Sequence, residues 1–131
     1  MKNMWDWIYP STVNVSIYEV NQMQKIEAII KPERFEFVKR ALEENKIYGL
    51  TVSEVEGRGD QKGIVLQYRG GEITVDLIPK CKVEVVVKDK DLQMILDLII
   101  SAARTGKIGD GRIFVSPVTK SIRVRTGEIE E

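Results

Sequence analysis

Arg123 and Arg125 stand two residues apart in SIRVRTGEIEE. If that run is a strand, period-two alternation puts both guanidinium groups on one face, spaced to grip a single polyphosphate. The competing reading is the solvated face of an edge strand, where charge discourages aggregation. GRGDQKG, residues 57–63, offers a second anion-binding chemistry. Gly57, Gly59 and Gly63 free the backbone to aim N–H groups at an anion, with Gln61 as a metal ligand and Lys62 as a local positive charge. The run matches neither GxGxxG nor GxxxxGK[ST], so a mobile solvated loop serves equally well as an explanation. TGKIGDGR, residues 105–112, is a third segment, exposing N–H groups of Gly109, Asp110 and Gly111 beside Arg112. Its alternative is a tight connector that needs glycine for positive φ. Loops at the same end of a small two-layer domain converge on one crevice. Taken together, two glycine turns and an arginine pair make a cradle for a nucleoside triphosphate, flanked by the strand residues Glu84, Val85 and Val86.

Composition removes other chemistries. The 131 residues contain no histidine and one cysteine, so a Ser/His or Cys/His nucleophile pair is excluded and zinc held by the usual ligands is not expected. Cys81 lies in the apolar run CKVEVVV and is expected to be a buried strand thiol in a reducing compartment. Twenty basic residues balance twenty acidic ones, which argues against nucleic acid and against a general attraction to acidic membranes. The apolar runs fall short of the roughly 20 residues that span a bilayer, and the start lacks the basic leader of a secretion signal. A cytoplasmic protein without direct membrane insertion is the expectation.

One α+β domain would position these groups. Lys25 to Ile30 reads as a strand stopped by Pro32, and Phe35, Val38 and Leu42 mark one apolar helix face. Leu50, Val52 and Val55 alternate along a strand that runs to Gly57. Residues 57–80 hold five of the ten glycines and form a run too long for an ordinary connection, hence functional or disordered. A strand over residues 80–88 leads to a helix with Asp89 as N-cap and Leu92, Ile95, Leu96, Ile99 and Ala103 as its buried stripe, with Gly106 as its stop. A strand over residues 112–115, closed by Pro117, and a short strand at IRVRT complete the chain. Strand–helix–strand twice over is the plan of a ferredoxin-like double βαβ sandwich with an antiparallel sheet. Residues 1–22 stand apart, with both tryptophans and a weak alternation of Val13, Val15 and Ile17. They read as an extra strand, an arm for a partner, or a start site placed ahead of Met23.

From Met23 onward the chain resembles the PII nitrogen-regulatory signal transducers. The likeness runs through MQKIEAIIKP, GLTVSEVEGRGDQKG, YRGGEITVDLIPK, TGKIGDGRIFV and IRVRTGE, about residues 23–130, and the YRG and TGKIGDGRIFV stretches are family signatures. The resemblance implies a homotrimer with ATP or ADP in the clefts between subunits. 2-Oxoglutarate would bind beside Mg-ATP at the base of a long loop, about residues 59–77. In that scheme Thr51, Val85 and Val86 meet the adenine end and Glu84 the ribose side. Gly59, Asp60, Gly109, Asp110, Gly111 and Arg112 lie by the phosphates, which Arg123 and Arg125 reach from the neighbouring subunit. Gln61 would hold Mg2+, while the backbone of Gln61, Lys62 and Gly63, with Lys80, would bind the 2-oxoglutarate carboxylates. Tyr68 and Arg69 would contact a partner, an ammonium transporter first, with nitrogenase or glutamine synthetase as alternatives. The sequence departs from the family at Asp60, where an arginine is common, and at Ile73 and Gly71, which replace modifiable hydroxyl residues. A regulator rather than an enzyme is implied; a slow ATP-hydrolysing enzyme and a purely structural ferredoxin-like trimer are the rivals.

Overall fold

Ile26, Ala28 and Ile30 are buried on one face of β1 (Met23–Ile30), and Val38 and Leu42 on α1 (Phe35–Glu44) pack on the same cluster. These elements come from a computed structural model, which describes residues 22–59 and 64–130. A 3-10 turn over Pro32–Arg34 joins β1 to α1, and Pro32 suits that first turn because its missing N–H would have no partner there. The chain leaves α1 through Lys46 at φ 64° and enters β2 (Thr51–Gly57). A hairpin of β3 (Ile64–Tyr68) and β4 (Gly71–Val75) follows, then β5 (Ile78–Lys88), α2 (Leu92–Ala103) and β6 (Gly111–Val118). A last small hairpin pairs β7 (Ser121–Ile122) with β8 (Ile129–Glu130).

The main sheet has the order β2-β5-β1-β6 with every neighbouring pair antiparallel, the ferredoxin-like arrangement. Cys81, Val83, Val85 and Val87 turn the alternate side of β5 into the core, where Ile95, Ile99 and Ala103 of α2 meet them. Among the described residues no helix covers the opposite face. There Glu27 and Lys82 form an ion pair at 3.4 Å, and Val86 and Phe114 remain about half exposed.

Four local expectations are corrected. Residues 57–80 are not one bare loop: the β3–β4 hairpin occupies much of the run, turned by Arg69 and Gly70. Asp89 does not cap α2. Residues Asp89–Asp91 wind as a 3-10 turn, and the Asp89 carboxylate accepts from Gln24 Nε2 at 3.3 Å while α2 begins at Leu92. Pro117 does not close β6, which runs on to Val118; β6 is an edge strand of this sheet, where a residue lacking N–H is tolerated. At IRVRT the strand stops at Ile122, and the following residues turn back through Gly127 at φ 75°. The face-sharing argument for Arg123 and Arg125 therefore does not hold. The expected strand within residues 1–21 lies outside the described residues.

Candidate functional site

The segment between α2 and β6 is held shut by Asp110. Its Oδ2 accepts the backbone N–H groups of Thr105 and Gly106, both at 2.9 Å, and its Oδ1 accepts the Thr105 hydroxyl. Thr105 Oγ1 in turn accepts the Lys107 N–H at 3.2 Å. Hydrogen bonds to an ionised carboxylate favour the charged form. The Thr105 hydroxyl first, then the Thr105 N–H, hold the Asp110 carboxyl well below the usual range against an opposing push from desolvation, with the Gly106 N–H and Lys31 adding to the lowering. Upstream, Arg34 fixes the end of α2: its Nε and Nη2 donate to the Ala102 carbonyl at 3.0 and 2.7 Å, and the guanidinium lies 4.0 Å from the centre of the Phe37 ring.

Two lysines converge on this loop from the sheet. Lys31, just past β1, sends Nζ to Asp110 Oδ1 and to Thr105 Oγ1, each at 3.3 Å. Lys80, near the start of β5, donates from Nζ to the Gly109 carbonyl at 2.7 Å. Gly109 has φ 90°, and a Cβ built there would lie 3.8 Å from both Lys31 Cε and Lys80 Nζ. Its missing side chain leaves the space between two cationic arms. The register explains the meeting, because Ile30 is opposite both Gly111 and Cys81, so the end of β1, the start of β5 and the start of β6 share one edge of the sheet. Gly57, the end of β2, pairs with Ile78 at that same edge.

The other anticipated residues are distributed around this point. Gly59 follows β2 at the same edge, and Arg58 pairs with Asp76 at 3.8 Å across the entry and exit of the excursion. Gly111 opens β6 and Arg112 stands opposite Ile29. Thr51 and Glu84 face one another across β2 and β5, further along the sheet. Val86 is exposed on the sheet face opposite α1 and α2, whereas the Val85 side chain is buried in the core, so Val85 can offer a ligand only its main chain. Tyr68 and Arg69 sit at the hairpin tip; the Tyr68 ring covers Gly70, where a Cβ would fall 2.8 Å from Tyr68 Cε2. Asp60, Gln61, Lys62 and Gly63 lie outside the described residues. Arg123 and Arg125 follow the opposite end of β6, whose eight residues extend about 23 Å from Gly111 to Val118. Lys31 is the residue that sequence reasoning missed; its position between a strand end and Pro32 was the available signal.

The donor set suits an anion. Two ammonium groups beside a glycine loop can neutralise a dicarboxylate or a phosphate, and charge-assisted hydrogen bonds to such groups are about twice as strong as neutral ones. No helix among the described residues is long and apolar enough to cross a membrane.

Residues 23–128 match the family described as nitrogen regulatory protein P-II. A protein of that name from Nostoc punctiforme is 57% identical over 106 residues, which cover 81% of this chain and 95% of the relative. Its namesake from Microchaete diplosiphon is 56% identical over the same shares of both chains. Nitrogen regulatory protein P-II 2 from Methanothermobacter thermautotrophicus is 51% identical over 106 residues, 81% of this chain and 92% of the relative.

Proposed function

This chain belongs to the nitrogen regulatory protein P-II family, and on that premise we propose that it is a ligand-gated signal transducer that binds ATP or ADP together with 2-oxoglutarate. One observation carries the reading: Lys80 reaches the Gly109 carbonyl from the strand that ends the 58–77 excursion. A dianion drawn to Lys80 and Lys31 would compete with Gly109, Thr105 and Asp110 for their ammonium groups, and so would act on the loop before β6 and the base of the excursion at once. Differential affinity for the resulting shapes is what shifts their populations.

In this scheme Gly59, Asp60 and residues 109–112 flank the phosphates, with Thr51, Glu84, Val85 and Val86 along the nucleoside. Gln61, Lys62 and Gly63, with Lys80, take 2-oxoglutarate. Mg2+, held by Gln61 and accompanying ATP, would neutralise phosphate charge. Arg123 and Arg125 follow the far end of β6, so they join the cradle from another copy of the chain. The sheet face opposite α1 and α2, with Val86 and Phe114 half exposed, gives a homotrimer apolar surface to bury. Tyr68 and Arg69 present the hairpin tip to a partner, an ammonium transporter in first place and nitrogenase or glutamine synthetase otherwise. The protein would then work in the cytoplasm and reach the membrane only through such a transporter.

Calorimetric titration of ATP with Mg2+, with and without 2-oxoglutarate, tests the proposal. Binding below millimolar and coupling between the two ligands are expected, together with a trimeric mass in sedimentation. Lys80→Met should weaken 2-oxoglutarate more than ATP. Absence of ATP binding, or ligands that ignore one another, would overturn the reading.

A further inference from the structure

Arg123 is already engaged by the chain's own acidic end. Its Nε lies 3.9 Å from Glu128 Oε2 and its Nη2 3.6 Å from Glu130 Oε1. The backbone imposes this arrangement. Ser121 pairs with Glu130 and Ile122 with Ile129, the Arg123 N–H donates to the Glu128 carbonyl at 2.9 Å, and the Gly127 N–H donates to the Arg123 carbonyl at 2.7 Å. Thr126 Oγ1 accepts the Glu128 N–H at 3.2 Å, and Gly127 supplies the positive φ that lets the chain double back. A short hairpin thus holds two carboxylates on one guanidinium.

The spacing shows what such a contact can do. At 3.6–3.9 Å the pairs are longer than hydrogen bonds, and all three side chains are more than half exposed. Exposed pairs of this kind are weak and yield to a better-placed anion. We infer that Glu128 and Glu130 are built-in competitors for Arg123, setting the threshold that a phosphate ligand must exceed before the arginine is released to it. The inference rests on the proposed role of Arg123 in nucleotide binding. It adds to that role a residue pair that opposes binding and so sets the affinity. A polyphosphate carries more charge than either carboxylate and can take the Nε and Nη2 donors that Glu128 and Glu130 now hold.

The experiment compares wild type, the double variant E128Q/E130Q, and E43Q/E44Q at the solvated end of α1, which changes net charge equally. ATP and ADP are titrated into each by calorimetry at fixed salt. The expected result is an affinity about two- to fivefold tighter for E128Q/E130Q, the range that exposed ion pairs allow, with E43Q/E44Q unchanged. Affinity that is unchanged or weaker in E128Q/E130Q while wild type binds ATP overturns the inference and leaves the nucleotide reading standing. Equal tightening in E43Q/E44Q assigns the effect to bulk charge and also overturns it. Failure of every form to take ATP at millimolar concentration removes the nucleotide reading and this inference with it.

Discussion

Asp110 and Thr105 clasp each other across five positions of chain, the carboxylate taking both the hydroxyl and the backbone N–H of the threonine. The contact makes the loop before β6 sensitive to acid. Asp110 is held well below the ordinary carboxylate range in the folded protein, chiefly by the Thr105 hydroxyl. As pH falls, the unfolded chain therefore binds this proton first. The stabilisation is complete above the unfolded value of about 3.9 and is lost progressively below it. Asp110→Asn should lower the urea midpoint, at unchanged denaturant slope, by a constant amount between pH 5 and 8. The gap to wild type should narrow below about pH 4; a gap that widens there would contradict the assignment.

Gly111 admits no side chain. Its φ is 114°, and a Cβ would lie 1.9 Å from the Ile29 carbonyl oxygen. Gly111→Ala must either displace β1 or abandon the first β1–β6 pairing, at a cost of about 3 kcal/mol or more. Gly49 has nothing within 4 Å of its Cβ position, so Gly49→Ala should change stability by about 1 kcal/mol at most. Chemical denaturation of both variants measures the contrast.

Lys46 is the non-glycine residue with positive φ among the described residues, at 64°, immediately after the cap of α1. A left-handed residue at this point commonly ends a helix, and glycine adopts it without the Cβ penalty. Lys46→Gly should raise stability by about 0.5–1 kcal/mol, visible as a higher melting temperature. Lys46→Val should lower it, because a β-branched residue is poorly accommodated there.

Cys81 should be inert in the folded protein. Burial pushes its thiol up, with a further push from the Glu54 carboxylate on the adjoining strand. Since the thiolate is the nucleophile, labelling by a disulfide reagent at pH 8 should be slow in buffer and rise along the urea unfolding curve. Fast stoichiometric labelling of native protein would place the thiol outside the core.

Contiguous patterns were legible before any coordinates. The β-rich run at residues 25–30, stopped by Pro32, and the apolar run at residues 80–88 located the two central strands, and the stripe through Leu92, Ile95, Leu96, Ile99 and Ala103 located α2. Segments whose geometry depends on distant contacts were not. Lys31 looks like an ordinary surface lysine until Thr105, 74 residues away, folds beneath it. Asp89 has the composition of a cap, but the tighter 3-10 turn points its carboxylate at Gln24 instead. Arg123 and Arg125 carry an alternating signature that Thr126 and Gly127 interrupt, because turn formation there wins over strand propagation. The glycines of the 57–80 run suggested a loop, while the hairpin within it depends on cross-strand pairing that local composition does not encode.

Gly57 and Ile78 are neighbours across the β2–β5 ladder, so the chain departs from the sheet and rejoins it at adjoining positions. Everything between them is topologically silent: the four-stranded frame would close with a tight turn if it were excised. Lengthening such an excursion costs only a logarithmic entropic increment, about 0.6 kcal/mol per doubling. The hairpin can accordingly be rewritten or grafted without renegotiating the core, which makes it the natural place for descendants of one scaffold to acquire different interlocutors.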